Sequence, residues 1–148
     1  MSVAFRRDSD EEHREPRFEL PIPAGPNLVT PRGLRLTRER VAELEAALAA
    51  VEGEARAAVA RTLRYWHTRA VTAVVAPAPP EDEVGFGSGV RVRMRGTERA
   101  FTIVGDDEAD PAAGLIAWSA PLAQALMGAM AGEEVAFGDE VVEVVAVG

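Results

Sequence analysis

The sequence predicts an α+β protein: an N-terminal antiparallel helical hairpin (a short coiled coil), then an antiparallel sheet carrying one short helix. Three observations predict it. Apolar residues recur at three- and four-residue steps on both sides of Gly53, which is the helical period. A proline-rich stretch, residues 77–83, follows. Beyond it, short alternating apolar runs are broken by Gly-Thr and Gly-Asp dipeptides, the pattern of half-buried strands joined by turns. The expected division is a disordered tail (1–27), a helical hairpin (28–76), a linker (77–83) and a sheet domain (84–148).

The tail is assigned on composition. It is rich in Arg, Asp, Glu and Pro, and shows no period. Phe5, Phe18, Leu20 and Ile22 are its apolar members, and Pro21 and Pro23 exclude a helix there. At Thr30-Pro31 the pattern changes, since Thr is a good N-cap and Pro suits the first helical position. Leu34, Val41 and Leu48 then repeat every seven residues, interleaved with Thr37, Leu44 and Val51. That is a coiled-coil seam with one polar slot. After Gly53 a second helical pattern runs through Val59, Leu63, Trp66, Ala70 and Ala73-Val74. So short a connection folds neighbouring helices back on each other. Helices of about 22 residues would each be roughly 33 Å long.

Val90, Val92 and Met94 alternate with Arg91, Arg93 and Arg95, a half-buried strand with a basic outer face. Such a stripe is a common solvated pattern, and it would also discourage association at a sheet edge. Gly96-Thr97 is the expected turn and Ala100 to Val104 the returning strand. Pro121 reads as the first residue of a short helix whose Leu122, Ala125 and Leu126 share a face. Glu134 to Phe137 and Val141 to Val147 are two strands joined by Gly138-Asp139. The last is apolar almost throughout, so it is expected at the centre of the sheet.

Composition narrows the chemistry. With no cysteine there is no disulfide, no thiolate metal site and no Cys nucleophile. His13 and His67 are far apart, so a zinc site would need mostly carboxylates, and no metal or other cofactor is expected. The net charge of −8 argues against direct binding to nucleic acid and favours a partner with a basic surface. No run approaches the roughly 20 apolar residues of a membrane span. A cytoplasmic protein is expected.

The densest signal is Val104-Gly105-Asp106-Asp107-Glu108-Ala109-Asp110, where an apolar run stops at glycine and gives way to four acids in five residues. Read as a calcium loop it lacks the necessary spacing. A solvated turn is the favoured reading, and a contact for a basic partner is the third. Tyr65 and Trp66 read as packing on the helix seam, and His67 as a surface histidine. Glu52 and Glu54 flank Gly53 at the hairpin tip, an ordinary polar connection on its own terms.

These residues resemble a known family. Bacterial Gre transcription factors carry "VGxDEAD" followed by "I-S-x-x-SP-[LIM]-A-x-A-L", and here Val104–Asp110 and Ile116–Leu126 stand in that order and spacing. The resemblance implies a coiled coil joined to a C-terminal domain similar to the FKBP immunophilins. It implies RNA polymerase as partner, docked at the rim of the secondary channel. It also assigns the docking contacts to Ser119, Pro121 and Leu122, with Asp106, Asp107 and Asp110 beside them. In the family, an Asp and a Glu in "GDLxENAEY" at the coil tip help hold a catalytic magnesium for cleavage of backtracked RNA. This chain has Ala49-Ala50-Val51-Glu52-Gly53-Glu54-Ala55 there, and Ser119-Ala120 where GreB-like members have Asp-Ser. The expectation is a non-enzymatic polymerase-binding factor that modulates elongation or initiation without stimulating cleavage. Two alternatives stand beside it: a true cleavage factor using Glu52 and Glu54, and an adaptor with a different basic partner.

Overall fold

The computed structural model describes residues 19–148. The tail expected over 1–27 therefore falls mostly outside the described residues. By its internal contacts the chain forms two compact units: Arg38–Val71 with residues 19–22, and Pro23–Thr37 with Thr72–Gly148.

Two helices make the hairpin, α1 (Pro31–Ala50) and α2 (Gly53–Thr72). α1 starts where the sequence predicts. The Gly33 amide donates to the Thr30 hydroxyl at 2.9 Å, and Pro31 occupies the first turn. Thr37, the polar slot in the seam, is buried, and its hydroxyl donates to the Gly33 carbonyl at 2.9 Å. That bond makes its burial tolerable. Gly53 has φ +65, a left-handed backbone that glycine adopts without a Cβ penalty, and the chain reverses there. Arg56 donates to the Leu48 carbonyl at 2.6 Å, filling one of the acceptors orphaned at the end of α1. Further along, His67 Nε2 lies 3.4 Å from Glu45. The pairs 48 with 56 and 45 with 67 are those of antiparallel neighbours. His67 thus has a carboxylate beside it, supplied by the other helix and invisible at helical spacing. Tyr65 and Trp66 are both half-buried, with ring centroids 5.1 Å apart edge to face.

α2 ends at Thr72, short of the expected Val74, because another hydrogen-bonding scheme takes over. The Val74 amide donates to the Asn27 carbonyl at 2.9 Å, and the Ala76 amide to the Val29 carbonyl at 3.1 Å. These bonds form a two-stranded parallel sheet of β1 (Leu28–Val29) and β2 (Val74–Val75).

The main sheet has five strands: β3 (Gly89–Met94), β4 (Thr97–Val104), β5 (Leu115–Ala117), β6 (Glu134–Phe137) and β7 (Glu140–Val147). Their order is β5-β4-β3-β7-β6. All pairs are antiparallel except β4 with β5. The last strand is interior, as its apolar sequence requires, but the centre belongs to β3, the arginine strand. Val90 and Val92 on its inner face are buried. On its outer face Arg93 bridges Glu98 of β4 at 2.7 Å and Glu143 of β7 at 2.8 Å. Those bonds, that to Glu98 first, raise the Arg93 pKa above the ordinary guanidinium value. A basic stripe flanked by acids on both neighbours belongs inside a sheet, so the edge-protecting reading of these arginines is wrong.

Gly138-Asp139 makes the expected two-residue turn, with Phe137 paired to Glu140. The β3–β4 turn is Arg95-Gly96, one residue earlier than expected. Both have positive φ, +52 and +77. Primed turns of that kind match the twist of a hairpin, and β4 consequently begins at Thr97. Helix α3 (Pro121–Leu126) covers the inner face. Ala123 and Leu126, both fully buried, join Val84, Val92, Ile103, Val142 and Val144 in one core.

Leu126→Ala should lower the stability of the sheet unit by about 2–5 kcal/mol, the cost of a large core cavity. Urea titration followed by Trp118 fluorescence in a Trp66→Phe background measures this; an unchanged midpoint would mean that α3 is not seated in the core.

Candidate functional site

The segment from the end of β4 to α3 runs through an acidic turn, a single 3-10 turn (Pro111–Ala113) and β5 within the sheet unit. Ile103 and Val104 are buried and bring the chain to Gly105. There the backbone passes so close to β1 that a Cβ would collide with the Leu28 carbonyl oxygen. Glycine is required by that approach, and the acidic turn starts immediately after it.

The four acids then part company. Asp106 accepts a hydrogen bond from the Ser119 hydroxyl at 2.6 Å, tying the start of the turn to the approach of α3. Asp107 is half-buried and Asp110 exposed. Backbone bonds between Asp110 and Leu115, at 2.8 and 3.0 Å, close the turn around Pro111–Ala113. Glu108 goes the other way. Its side chain is 5% exposed, and the carboxylate accepts from the Thr30 hydroxyl at 2.6 Å and from Arg32 at 2.9 Å. The acidic run is thus only partly the solvated turn that the sequence favours.

The loop continues along β5, where the Trp118 amide donates to the Val104 carbonyl at 2.8 Å. The Gln124 amide group donates to the Trp118 carbonyl at 2.6 Å, fastening the loop to the first turn of α3. Ser119 and Pro121 are exposed, while Leu122 is half-buried against the core. The structure therefore gathers Asp106, Asp107, Asp110, Ser119, Pro121 and Leu122 on one loop-and-helix segment. Glu52 and Glu54 belong to the other unit, exposed around the hairpin turn. Among the described residues no group of three His, Asp or Glu side chains is placed to hold a metal ion.

Sequence reasoning missed Thr30, Arg32 and Glu108 as a set. One signal was available. Glu108 is the only longer carboxylate among aspartates, and the extra methylene gives the reach that the inward contact needs.

Residues 79–148 match the family described as "Transcription elongation factor, GreA/GreB, C-term". The chain is similar to transcription elongation factor GreA of Helicobacter hepaticus, 45% identical over 65 residues, which cover 42% of this chain and 40% of that protein. It is similar to transcription elongation factor GreB of Neisseria meningitidis, 38% identical over 97 residues, covering 59% of this chain and 58% of that protein. The chain thus spans between two-fifths and three-fifths of the length of these relatives. A solved structure, that of GreA factor homolog 1 (Gfh1) of Thermus thermophilus, aligns at TM-score 0.41 and 18% identity, over 84% of this chain and 99% of that one.

These relatives correct the expectation of a non-enzymatic protein. They are named as GreA and GreB elongation factors, the class for which the resemblance implies stimulation of RNA hydrolysis by polymerase.

Gly105→Ala should destabilise the sheet unit by about 1–3 kcal/mol, since the new methyl must push the β1 backbone aside. A thermal melt by circular dichroism checks it; a melting temperature within error of the parent would contradict the close approach.

Proposed function

We propose that this chain, a Gre-factor family member through residues 79–148, binds RNA polymerase and acts as a transcription elongation factor that stimulates cleavage of backtracked RNA. The observation that carries this reading is the paired motif Val104–Asp110 and Ile116–Leu126, linked by the Ser119–Asp106 and Trp118–Val104 hydrogen bonds, within a stretch that matches the GreA/GreB C-terminal family.

In this reading the loop and the head of α3 dock at the rim of the secondary channel. Pro121 and Leu122 supply the apolar contact, Ser119 the polar one, and Asp106, Asp107 and Asp110 face a basic surface. Charge complementarity of that kind raises the association rate and fixes orientation. The net charge of −8 supports a basic protein partner over nucleic acid. No helix of the described residues is long and apolar enough to cross a membrane. Action with polymerase would place the protein in the cytoplasm.

Glu52 and Glu54 would serve at the hairpin tip. Two carboxylates on either side of one glycine are too few to hold a divalent cation alone, so they would complete a site whose other ligands polymerase provides. A metal held there would orient and activate the attacking water. Both side chains are exposed and so are free to reach a partner.

Core polymerase should retain the full chain at micromolar concentration, and Leu122→Asp should weaken binding at least about tenfold, as loss of a buried apolar anchor does. A gel shift competed by GreA measures this, and absence of any wild-type binding would refute the reading. On stalled, backtracked complexes the wild type should shorten the RNA and the Glu52→Ala/Glu54→Ala variant should not. Equal cleavage by both would remove the tip acids from the mechanism; no cleavage by the wild type would remove the activity.

A further inference from the structure

We infer that Glu108 is a positioning residue: its buried carboxylate clasps the root of α1, and the hairpin acts through that clasp. The inference rests on the function proposed above for its final readout only.

Five observations meet at this carboxylate. It is the one acid of the loop that turns inward, with its side chain almost completely out of solvent. One oxygen accepts from the Thr30 hydroxyl at 2.6 Å, and Thr30 is itself the N-cap of α1, taking the Gly33 amide at 2.9 Å. The other oxygen accepts from Arg32, in the first turn of the same helix, at 2.9 Å. Gly33 leaves the space: a Cβ there would sit 2.8 Å from the Glu108 carboxylate, which would have to shift. The carboxylate also lies at the positive end of a 20-residue helix, where an anion is favoured.

The arrangement has the chemistry of a specific clasp. A buried carboxylate without partners is costly, and here each oxygen has a donor from the first three residues of the α1 start. Thr30 is 78 residues and Arg32 is 76 residues from Glu108 in sequence. The bonds therefore join the loop that follows β4 to the helix that leads to Glu52 and Glu54. Removing the carboxylate leaves the docking residues Asp106, Ser119, Pro121 and Leu122 untouched, because none of the bonds to Glu108 involves them.

The test compares wild type, Glu108→Gln and Glu108→Ala in the full chain. Glutamine keeps an acceptor for Thr30 but loses the charge facing Arg32; alanine loses both. By hydrogen exchange in the free protein, the Leu34 to Thr37 amides should exchange at least about tenfold faster in Glu108→Ala, with Glu108→Gln intermediate, while the Val92 and Ile103 amides stay protected. Unchanged protection at the helix root overturns the inference, and so does equal acceleration in the sheet. With polymerase, Glu108→Ala should bind within about twofold of wild type yet lose cleavage by about tenfold, a split expected when positioning and not docking is lost. Parallel loss of both overturns it too. If wild type fails to bind polymerase, the proposed function falls, and the exchange result still decides the clasp. If Glu108→Ala does not fold, the Glu108→Gln comparison decides both readouts.

Discussion

A carboxylate out of water is the constraint to which the rest of the sheet unit answers. Glu108 can be buried only because Thr30 and Arg32 meet it, and they meet it only if α1 begins where it does. That start demands the Thr30-Pro31 cap, the small residue at Gly33 and the close passage of Gly105 over Leu28. The β1–β2 pair belongs to the same arrangement, since it holds residues 27–29 where the passage occurs. One acid thus ties together a helix cap, two glycines and a two-stranded sheet. Each of these alone looks like an ordinary local feature.

The five-stranded sheet solves a different problem. Its central strand must pack valine inward while carrying arginine outward, and a cation stripe at the centre of a sheet needs neutralising on both sides. Glu98 and Glu143 do this for Arg93, and at the turn that follows β3 Arg95 pairs with Glu140. The exposed positions of Arg93 and its partners limit the stability of such bridges to about 1 kcal/mol or less each. They define register more than they stabilise, and the buried valines of β3 and β7 with Ile103 and Leu126 supply the burial that holds the domain.

The hairpin has a thinner core. Leu44 and Leu63 are its buried apolar residues, with Trp66 and Tyr65 half in. Polar links run between the antiparallel helices from His67 to Glu45 and from Arg56 to the Leu48 carbonyl.

Much of this was legible in the residues themselves. Thr30-Pro31 announced the start of α1, the seven-residue repeat its seam, Gly53 the reversal and Gly138-Asp139 a hairpin turn, because caps, periods and turns are decided by neighbours within a few positions. The motif from Val104 to Leu126 carried the resemblance to Gre factors by residue order alone. The fold decided what depends on distant partners. It ended α2 at Thr72, since Asn27 and Val29 offered the following amides a strand instead. It put the arginine strand at the centre, since acids from two other strands were waiting there. It sent Glu108 inward while Asp106 went to Ser119. Residues 78 apart in sequence leave no period to read, and only packing brings their hydrogen-bonding groups within 3 Å.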